Sequence, residues 1–512
     1  MKLCINKNFA TLTVVIISLL SLKPSFVDAG FDKHVSNDIK TPNFIIIYVD
    51  DMGYSDVGKF SDGLLKTPNI DRLAKFGQTW TNFYSAGSVC TPSRGAILTG
   101  KLPISSGIYG DKISVFFPGS SQGIPSELKT LPEILQQNNY STGLFGKWHL
   151  GDMKKFYPTR HGFDKWVGIP YSNDMDWNIE GITSTSVFVP WKQSGSKWSM
   201  VSKDLREKIF RPKITDWNVP MIRSFKGPND IYVDEVIEKP FNQNLATMHF
   251  TNEAVEFIKE ADKTDRNFFV FLSHSMPHVP LFVSKEFEGK SNKGIYGDVI
   301  QEIDWSVGEV LKILQSLDLQ KETYVIFTSD NGPWLSYLNH AGTSLPLRDG
   351  KGTTFEGGMR VTTYFYGADV APGEIGSFGV QTDIFETFLS LASIKSNKNL
   401  PNSIDLSNTL KKKTTSDRNF IPYFSGSELR AFRVGNQKLH FITEGAFGAP
   451  PLRKIHEPPI VIDLETNISE DLSKSRPIEN SSIVLNEFNK FMQSFQQSES
   501  IIDKQFDHLN PN

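Results

Sequence analysis

The sequence predicts an α/β fold: a large domain with a mainly parallel central sheet flanked by helices, followed by a small C-terminal α+β domain with an antiparallel sheet. Continuous apolar, β-branched runs alternate with amphipathic helical stretches, a pattern typical of parallel strands buried on both faces. Two of these runs end in acidic or amide residues, at the sheet edge where open α/β folds place ligands. The chain has 512 residues, which is long for one hydrophobic core and indicates a second domain.

Composition narrows the class of protein. The formal net charge is −3, which favours neither a nucleic-acid partner nor strong attraction to anionic membranes. Aromatic residues make up 12% of the chain, more than a disordered chain carries. We therefore expect a globular protein with no nucleic-acid partner.

The first 29 residues have the pattern of a secretory signal peptide. Lys2 and Lys7 precede an apolar run over residues 11–22, and small residues at 27–29 suit a cleavage site. The run is short for a membrane span, which favours a cleaved signal peptide; an uncleaved anchor is the alternative. We expect export, with no stable membrane span in the mature chain and a secreted, periplasmic or lysosomal destination depending on the source.

The first strand, over residues 43–49, ends in two adjacent acids, Asp50 and Asp51. Adjacent carboxylates repel each other unless a cation compensates, and hard oxygen ligands suit Ca²⁺ or Mg²⁺. A solvated turn is the alternative. A later strand over residues 324–328 ends in the same way, and its Asp330 and Asn331 are placed to complete a cation site.

Cys90 lies in the most distinctive stretch of the chain, Ser-Val-Cys-Thr-Pro-Ser-Arg. The other cysteine, Cys4, leaves with the signal peptide, so an internal disulfide is excluded. Pro92 suits a first helical turn, which puts Cys90 at a helix N-terminus, where anions are favoured. Arg94 follows one turn later on the same face. This arrangement suits an anionic ester; a small buried cysteine before an ordinary helix is the alternative.

Three further segments carry groups suited to an anion. A strand over residues 140–146 leads into Lys147 and His149, which point the same way if the segment is extended, although a lone histidine is commonly structural. His278 lies in a segment restricted by prolines on either side. Lys351 stands between two glycines, which permits close approach to an anion; a flexible surface loop is the alternative.

The remaining patterns complete the predicted architecture. Residues 174–245 have weak periodicity and are interpreted as loops over one end of the sheet, and residues 395–418 as a linker or surface excursion. The predicted domains are a catalytic domain over 30–415 and a small domain over 416–512. Further strands are predicted over 267–272, 361–366 and 460–464, a hairpin over 430–443, and helices over 245–261, 298–317, 382–393 and 481–497.

Taken together, these motifs resemble the sulfatase family of the alkaline phosphatase superfamily, within it the arylsulfatase A branch. Cys-Thr-Pro-Ser-Arg at 90–94 looks like the Cys-X-Pro-X-Arg signature of type I sulfatases. Gly-Lys-Trp-His-Leu-Gly, Pro-His, Asp-Asn-Gly and Gly-Lys-Gly follow in the family's order. The resemblance runs from about residue 42 to about residue 472 and implies a sulfuric ester hydrolase.

The resemblance also implies roles for particular residues. Cys90 would be oxidised to formylglycine (3-oxoalanine) by a maturation enzyme. Ca²⁺, or Mg²⁺ in its place, would be held by Asp50, Asp51, Asp330, Asn331 and the modified Cys90. Arg94 would orient the formylglycine hydrate, and His149 would take the proton that lets sulfate leave. The sulfate group of a small molecule, glycan or glycolipid would be held, and its leaving oxygen assisted, by Lys147, His278 and Lys351, with Ser172 as a further sulfate contact.

Two other functions stay open at this point. A phosphonate or phosphodiester hydrolase of the same superfamily would use the same metal, aldehyde and cations. A secreted protein that binds sulfated glycans would keep the fold but have no catalytic turnover. The chain also departs from the vertebrate members of the branch, which are rich in disulfides, and residues 174–245 follow the family least, which leaves the substrate open.

Overall fold

The computed structural model describes residues 41–178, 203–396, 400–478, 483–498 and 504–506. From Thr41 onward the described residues belong to one compact unit. The predicted signal peptide over residues 1–29 and part of the weakly periodic region, residues 179–202, lie outside the described residues.

The large sheet has ten strands within the described residues. Their spatial order is β10-β2-β9-β8-β1-β7-β3-β4-β5-β6. The strands are β1 (Asn43–Val49), β2 (Gln78–Tyr84), β3 (Ser141–Gly146), β4 (Lys165–Gly168), β5 (Met221–Lys226), β6 (Tyr232–Glu238), β7 (Phe268–Ser273), β8 (Thr323–Ser329), β9 (Thr363–Gly367) and β10 (Gly373–Val380).

The centre of this sheet is parallel, as the apolar runs predict. Strand β1 pairs in parallel with β7 and β8, and β3 pairs in parallel with β7 and β4. Ile46 on β1 stands opposite Phe271 and Ile326. Strands β9, β5 and β6 run antiparallel to their neighbours. Because the central strands share one direction, their carboxyl ends meet at a single edge of the sheet.

Helices cover both faces of the sheet, and β1 shows why. All seven of its residues are buried, with Ile45 and Ile47 in one hydrophobic cluster and Phe44 and Ile46 in the other, the alternation of a strand between two layers. The helices are α1 (Pro68–Phe76), α2 (Cys90–Thr99), α3 (Pro103–Ser106), α4 (Leu131–Gln137), α5 (Lys203–Phe210), α6 (Ala246–Lys263), α7 (Gly294–Ser316), α8 (Glu356–Met359), α9 (Asp383–Leu391), α10 (Ser407–Lys412) and α11 (Ile483–Ser498).

A second, antiparallel sheet forms the C-terminal domain, as predicted. Helix α11 lies against it, and Phe491 packs on Phe432 and Phe420. In spatial order the strands are β11 (Phe420–Ser425), β12 (Glu428–Val434), β13 (Gln437–Thr443), β14 (Lys454–Asp463) and β15 (Arg476–Pro477). The exact limits of the two domains stay a prediction.

The structure corrects two of the predicted irregular regions. Residues 174–245 do not only form loops, because β5 and β6 extend the large sheet at its edge and α5 precedes them. Strand β6 is largely exposed, so its sequence lacks the apolar run that marks a buried strand. The stretch 395–418 is likewise not only a linker, since it contains α10 and the buried Arg418, which pairs with Asp383.

A buried ionic network joins the two sheets beside the loop that carries Lys351. The Glu356 carboxylate accepts hydrogen bonds from Tyr84 (2.7 Å) and Arg433 (2.9 Å) on one oxygen. Its other oxygen accepts from Tyr423 (2.6 Å) and Lys438 (3.0 Å). The large domain contributes Glu356 and Tyr84, and the C-terminal sheet contributes the other three groups. The network therefore fixes the start of α8 against the C-terminal domain.

Candidate active site

The acidic ends of β1 and β8 meet at the carboxyl edge of the sheet. The two strands pair in parallel, and the Asp330 N–H donates to the Val49 carbonyl (3.0 Å). The Asp51 N–H donates to the Asp330 carboxylate (3.1 Å), and the Asn331 amide donates to Asp51 (2.7 Å). The structure thus brings together the four oxygen-bearing side chains that the sequence analysis singled out, all of them buried: Asp50, Asp51, Asp330 and Asn331.

This acidic cluster has the donor atoms of a site for a hard cation. One oxygen each of Asp50 and Asp330 and the sulfur of Cys90 lie within 4.8 Å of one another. Asp50 Oδ1 and Asn331 Oδ1 are buried and have no hydrogen-bond partner among the described residues. A buried unpartnered carboxylate oxygen is costly unless a ligand compensates it. The residues present therefore fit a divalent cation with oxygen ligands.

Three cationic side chains surround the cluster. Arg94 donates to one Asp330 oxygen through Nε (3.1 Å) and Nη2 (3.0 Å). Lys147 pairs with Asp50, and Lys351 with Asp51 (2.8 Å). The three carboxylates and the three cations balance, so a dication bound here leaves a net positive site that attracts an anion.

The three buried carboxyl groups of the cluster oppose one another's ionisation. Burial raises the pKa of Asp330 to about 8, and Asp50 adds to the rise while Arg94 opposes it. Burial also raises the pKa of Asp51, against the effect of Lys351. Burial acts in the same direction on Asp50, but Lys147 and Arg94 outweigh it and hold its pKa well below the usual range. A bound dication is the kind of group that allows all three to ionise together.

Cys90 is the first residue of α2, as predicted, and is buried beside the cluster. The Thr91 hydroxyl donates to the His149 carbonyl (3.0 Å), which ties this helix start to the loop after β3. Burial raises the pKa of the Cys90 thiol to about 11, although Lys147 and Lys351 oppose the rise. The thiol is therefore protonated at neutral pH and, unmodified, is a poor nucleophile.

Lys147, Ser172 and His278 form a chain of contacts at the floor of the site. Lys147 Nζ donates to Ser172 Oγ (3.0 Å), which lies 3.4 Å from His278 Nε2. His278 Nδ1 lies 2.6 Å from the Val279 carbonyl, so this nitrogen carries the proton and Nε2 keeps its lone pair. Burial, with help from Lys351, lowers the pKa of His278 well below its usual value, and the ring is neutral.

His149 reaches the site by a backbone path that differs from the predicted one. Its φ of 61° is left-handed, so Lys147 and His149 do not share an extended segment, and extended spacing is not what directs the two side chains to the site. The reversal lies between two glycines of positive φ, Gly146 and Gly151, and the His149 N–H donates to the Pro170 carbonyl (3.1 Å).

The ring of His149 is nevertheless placed to accept a proton. Its Nε2 lies 2.9 Å from the Phe116 carbonyl and therefore carries the hydrogen, while Nδ1 is buried without a partner among the described residues. Burial lowers the pKa of His149 well below its usual value, and Lys147 adds to this effect. The neutral ring borders the same cleft as Cys90.

Lys351 lies in a fixed loop, which removes the alternative of a flexible surface segment. Its side chain is 4% exposed, and Nζ lies 4.5 Å from the centroid of the Trp334 ring. Gly352 has a φ of 85°, and a Cβ there would meet the Phe447 ring at 2.8 Å. Burial opposes the charge on Lys351, but Asp51 outweighs it and raises its pKa above the ordinary value.

Two residues that contact the site were not predicted from the sequence. Trp334 lies under Lys351 and edge-on to His278, with 5.5 Å between the ring centroids. Ser273, at the end of β7, accepts from Arg94 Nη1 (2.6 Å). The position of Ser273 at the end of a predicted central strand was the available signal, and Trp334 follows three residues after Asn331.

The site opens into a cleft of about 1040 Å³ between the two domains. Its volume is at the upper end for small-molecule sites, so it admits a substrate much larger than a sulfate group. Cys90, His149, Ser172, His278 and Lys351 border it. Its outer walls include Tyr109, Val115 and Phe117 from the large domain and Phe424, Arg430 and Phe447 from the C-terminal part of the chain.

An oxygen set for a hard cation, three cations and two neutral histidines at one sheet edge define a hydrolase of anionic esters. Comparison with known proteins makes the class specific. A family model described as Sulfatase matches residues 42–394, and one described as C-terminal region of aryl-sulfatase matches residues 416–512. The chain belongs to the sulfatase family and is a sulfatase, which confirms the predicted resemblance.

Individual relatives agree with this assignment. N-acetylgalactosamine-6-sulfatase of Mus musculus is 34% identical over 410 residues, covering 78% of this chain and 72% of its own. Arylsulfatase A of Homo sapiens is 33% identical over 454 residues, covering 84% and 83%. Among solved structures, PsFucS1 sulfatase from Pseudoalteromonas sp. superposes with a TM-score of 0.75 at 25% identity, covering 91% of this chain and 92% of that one.

Proposed function

We propose that this sulfatase hydrolyses sulfate monoesters through a formylglycine hydrate derived from Cys90, with Ca²⁺ at the adjacent oxygen cluster. The observation that carries the proposal is the convergence of Arg94, Lys147 and Lys351 with the oxygen cluster around the buried Cys90 at the start of α2. A cationic site preorganised in this way stabilises charge on the oxygens of a transferring sulfuryl group.

The cation would be held by Asp50, Asp51, Asp330 and Asn331, with position 90 as a further ligand. The unpartnered oxygens of Asp50 and Asn331 support this assignment. Carboxylate and amide oxygens suit Ca²⁺, and Mg²⁺ is the alternative. When bound, the cation supplies Lewis-acid stabilisation of the sulfuryl oxygens.

The state of the Cys90 side chain and the sulfatase signature around it support the proposed modification. The raised pKa leaves a neutral thiol, which does not attack an ester readily. The formylglycine hydrate, formed by a maturation enzyme, would supply one hydroxyl that attacks sulfur as the alcohol leaves. Deprotonation of its second hydroxyl would re-form the aldehyde and expel sulfate. His149 is the base for that deprotonation, because its Nδ1 is the free acceptor.

The remaining polar side chains orient the ester. Lys147 and Lys351 bind the sulfuryl oxygens, and Arg94 holds Asp330 beside position 90. Ser172 receives a hydrogen bond from Lys147 and lies against His278, so these three groups surround the position expected for the leaving oxygen. The Lys147 and Ser172 donors assist its departure as the bond to sulfur breaks, while His278 Nε2, which keeps its lone pair, can only accept.

One experiment distinguishes the three candidate functions, using protein made in a host that modifies the cysteine. Release of 4-nitrophenol is measured from 4-nitrophenyl sulfate and from an aryl phosphonate monoester, with Ca²⁺ present. We expect the sulfate to be the faster substrate. A faster phosphonate would support the phosphonate hydrolase, and binding of a sulfated polysaccharide without release from either ester would support the binding protein.

The natural substrate and location are also part of the proposal. We expect a sulfated small molecule, glycan or glycolipid, since the cleft extends well beyond the sulfate position. Export through the signal peptide at residues 1–29 would deliver the enzyme to a secreted, periplasmic or lysosomal location. Within the part of the chain that the structure describes, no helix has both the length and the apolar character needed to cross a membrane.

A further inference from the structure

The cleft wall next to Ser172 carries a buried carboxyl group that the mechanism above does not use. Asp174 is 5% exposed and borders the same cleft as Cys90, His278 and Lys351. Its Oδ1 atom is buried and has no hydrogen-bond partner among the described residues. Buried polar atoms are nearly always partnered, so this oxygen calls for a donor from a bound molecule.

Electrostatics place Asp174 close to the sulfate position. Burial raises its pKa to about 6, while Lys351, Lys147 and a hydrogen bond with Ser172 oppose the rise. These are the same groups that would hold the sulfuryl oxygens. The Asp174 carboxyl therefore lies in the same part of the cleft wall as the groups proposed to hold the ester.

The next acidic residue along the chain, Asp176, has partners within the protein for its carboxylate. Asp176 accepts a hydrogen bond from the Tyr171 hydroxyl (2.8 Å) and lies 3.8 Å from Lys239. It does not border the cleft. Two carboxylates of one short segment thus differ: Asp176 is paired within the protein, and one oxygen of Asp174 is left for a ligand.

We propose that Asp174 is a specificity-determining residue, whose free Oδ1 accepts a hydrogen bond from a hydroxyl on the carbon next to the one that bears the sulfate ester. The enzyme would then prefer sulfate esters of vicinal diols and polyols. This inference rests on the proposed function and names the substrate class of the same site. A substrate without the hydroxyl leaves the buried acceptor unpaired, which costs about tenfold or more in kcat/KM.

The test uses three esters that differ at one position: phenyl sulfate, 2-hydroxyphenyl sulfate and 2-methoxyphenyl sulfate. The methoxy ester keeps the oxygen but is larger by one methyl group and has no donor, and phenyl sulfate is the smaller ester without a donor. Sulfate release is measured by ion chromatography in wild type, Asp174→Ala, Asp174→Asn and the control Asp176→Asn. Because the same esters are compared in each variant, their intrinsic reactivity cancels when the hydroxy-to-methoxy ratio of a variant is divided by that of wild type.

We expect wild type and Asp176→Asn to favour the hydroxy ester over the methoxy ester by about tenfold or more in kcat/KM. Asp174→Ala should reduce that ratio to near one, and Asp174→Asn, which keeps an amide oxygen, should retain part of it. Equal kcat/KM for the two esters in wild type, or an unchanged ratio in Asp174→Ala, would overturn the inference. Absence of sulfate release from all three esters would instead contradict the proposed function.

Discussion

Replacement of Glu356 by Gln tests how far the ionic network between the two domains stabilises the protein. Each oxygen of Glu356 accepts from one tyrosine hydroxyl and one cation: Tyr84 with Arg433, and Tyr423 with Lys438. A glutamine has the same shape but only one acceptor oxygen, and its NH₂ group donates. Whichever way the amide is turned, the NH₂ group faces a buried cation.

The expected loss follows from that geometry. Glu356 is 0% exposed, and removing one partner of a buried pair costs about 3–5 kcal/mol because the remaining charge is left uncompensated. At about 2 °C per kcal/mol, the value for a large domain, the thermal midpoint should fall by roughly 6–10 °C. The loop that begins α8 also carries Lys351, so kcat should fall with stability.

The assay is thermal unfolding followed by tryptophan fluorescence, with Glu374→Gln as the matched control. Glu374 pairs with Lys59 at the surface, and both side chains are 51% exposed. Loss of this exposed pair should cost no more than about 1 kcal/mol. A midpoint for Glu356→Gln that lies within one degree of the control would refute the argument for the network.

Three further outcomes are expected. Lys351→Met should lower kcat by roughly 10²- to 10³-fold, the loss seen when a donor to transition-state charge is removed. The control Lys155→Met, which removes an exposed lysine lying 4.6 Å from a phenylalanine ring, should leave kcat unchanged. A chelator should lower both turnover and the thermal midpoint, and added Ca²⁺ should restore both; an unchanged midpoint with full activity would argue against a bound cation. Burial opposes the charge on Glu356, but Lys438 and Arg433 outweigh this effect and lower the pKa of Glu356 in the folded protein. The ionised carboxylate therefore stabilises the fold above the unfolded-state pKa of about 4.5, and this stabilisation is lost as the pH falls towards the folded-state pKa. The difference in midpoint between wild type and Glu356→Gln should therefore shrink in scans below about pH 4.5.

The sequence predicted the parts of the fold in which local pattern and burial agree. Strand β1 is apolar along its whole length because both of its faces are buried, so its position and parallel pairing follow from composition. The sequence also predicted that the acidic ends of β1 and β8 meet, because parallel neighbouring strands end at the same edge of a sheet. Helix α2 begins at Cys90, where Pro92 and the preceding extended residue allow it to start.

Other features depend on contacts that no local pattern contains. Strand β6 is exposed along much of its length and is a strand only because β5 supplies its hydrogen bonds. The left-handed turn at His149 depends on the Pro170 carbonyl, more than twenty positions later in the chain. The free oxygen of Asp174 is visible only once every neighbouring donor has been placed.

The most direct test of the account is turnover by wild type and Cys90→Ala, each produced with and without a formylglycine-generating enzyme. The tryptic peptide containing residue 90 is analysed by mass spectrometry, and 4-nitrophenol release from 4-nitrophenyl sulfate is measured with Ca²⁺ present. The account predicts that turnover rises with the fraction of aldehyde in wild type and is absent in Cys90→Ala. Equal turnover by Cys90→Ala, or by wild type that carries only the thiol, would contradict it.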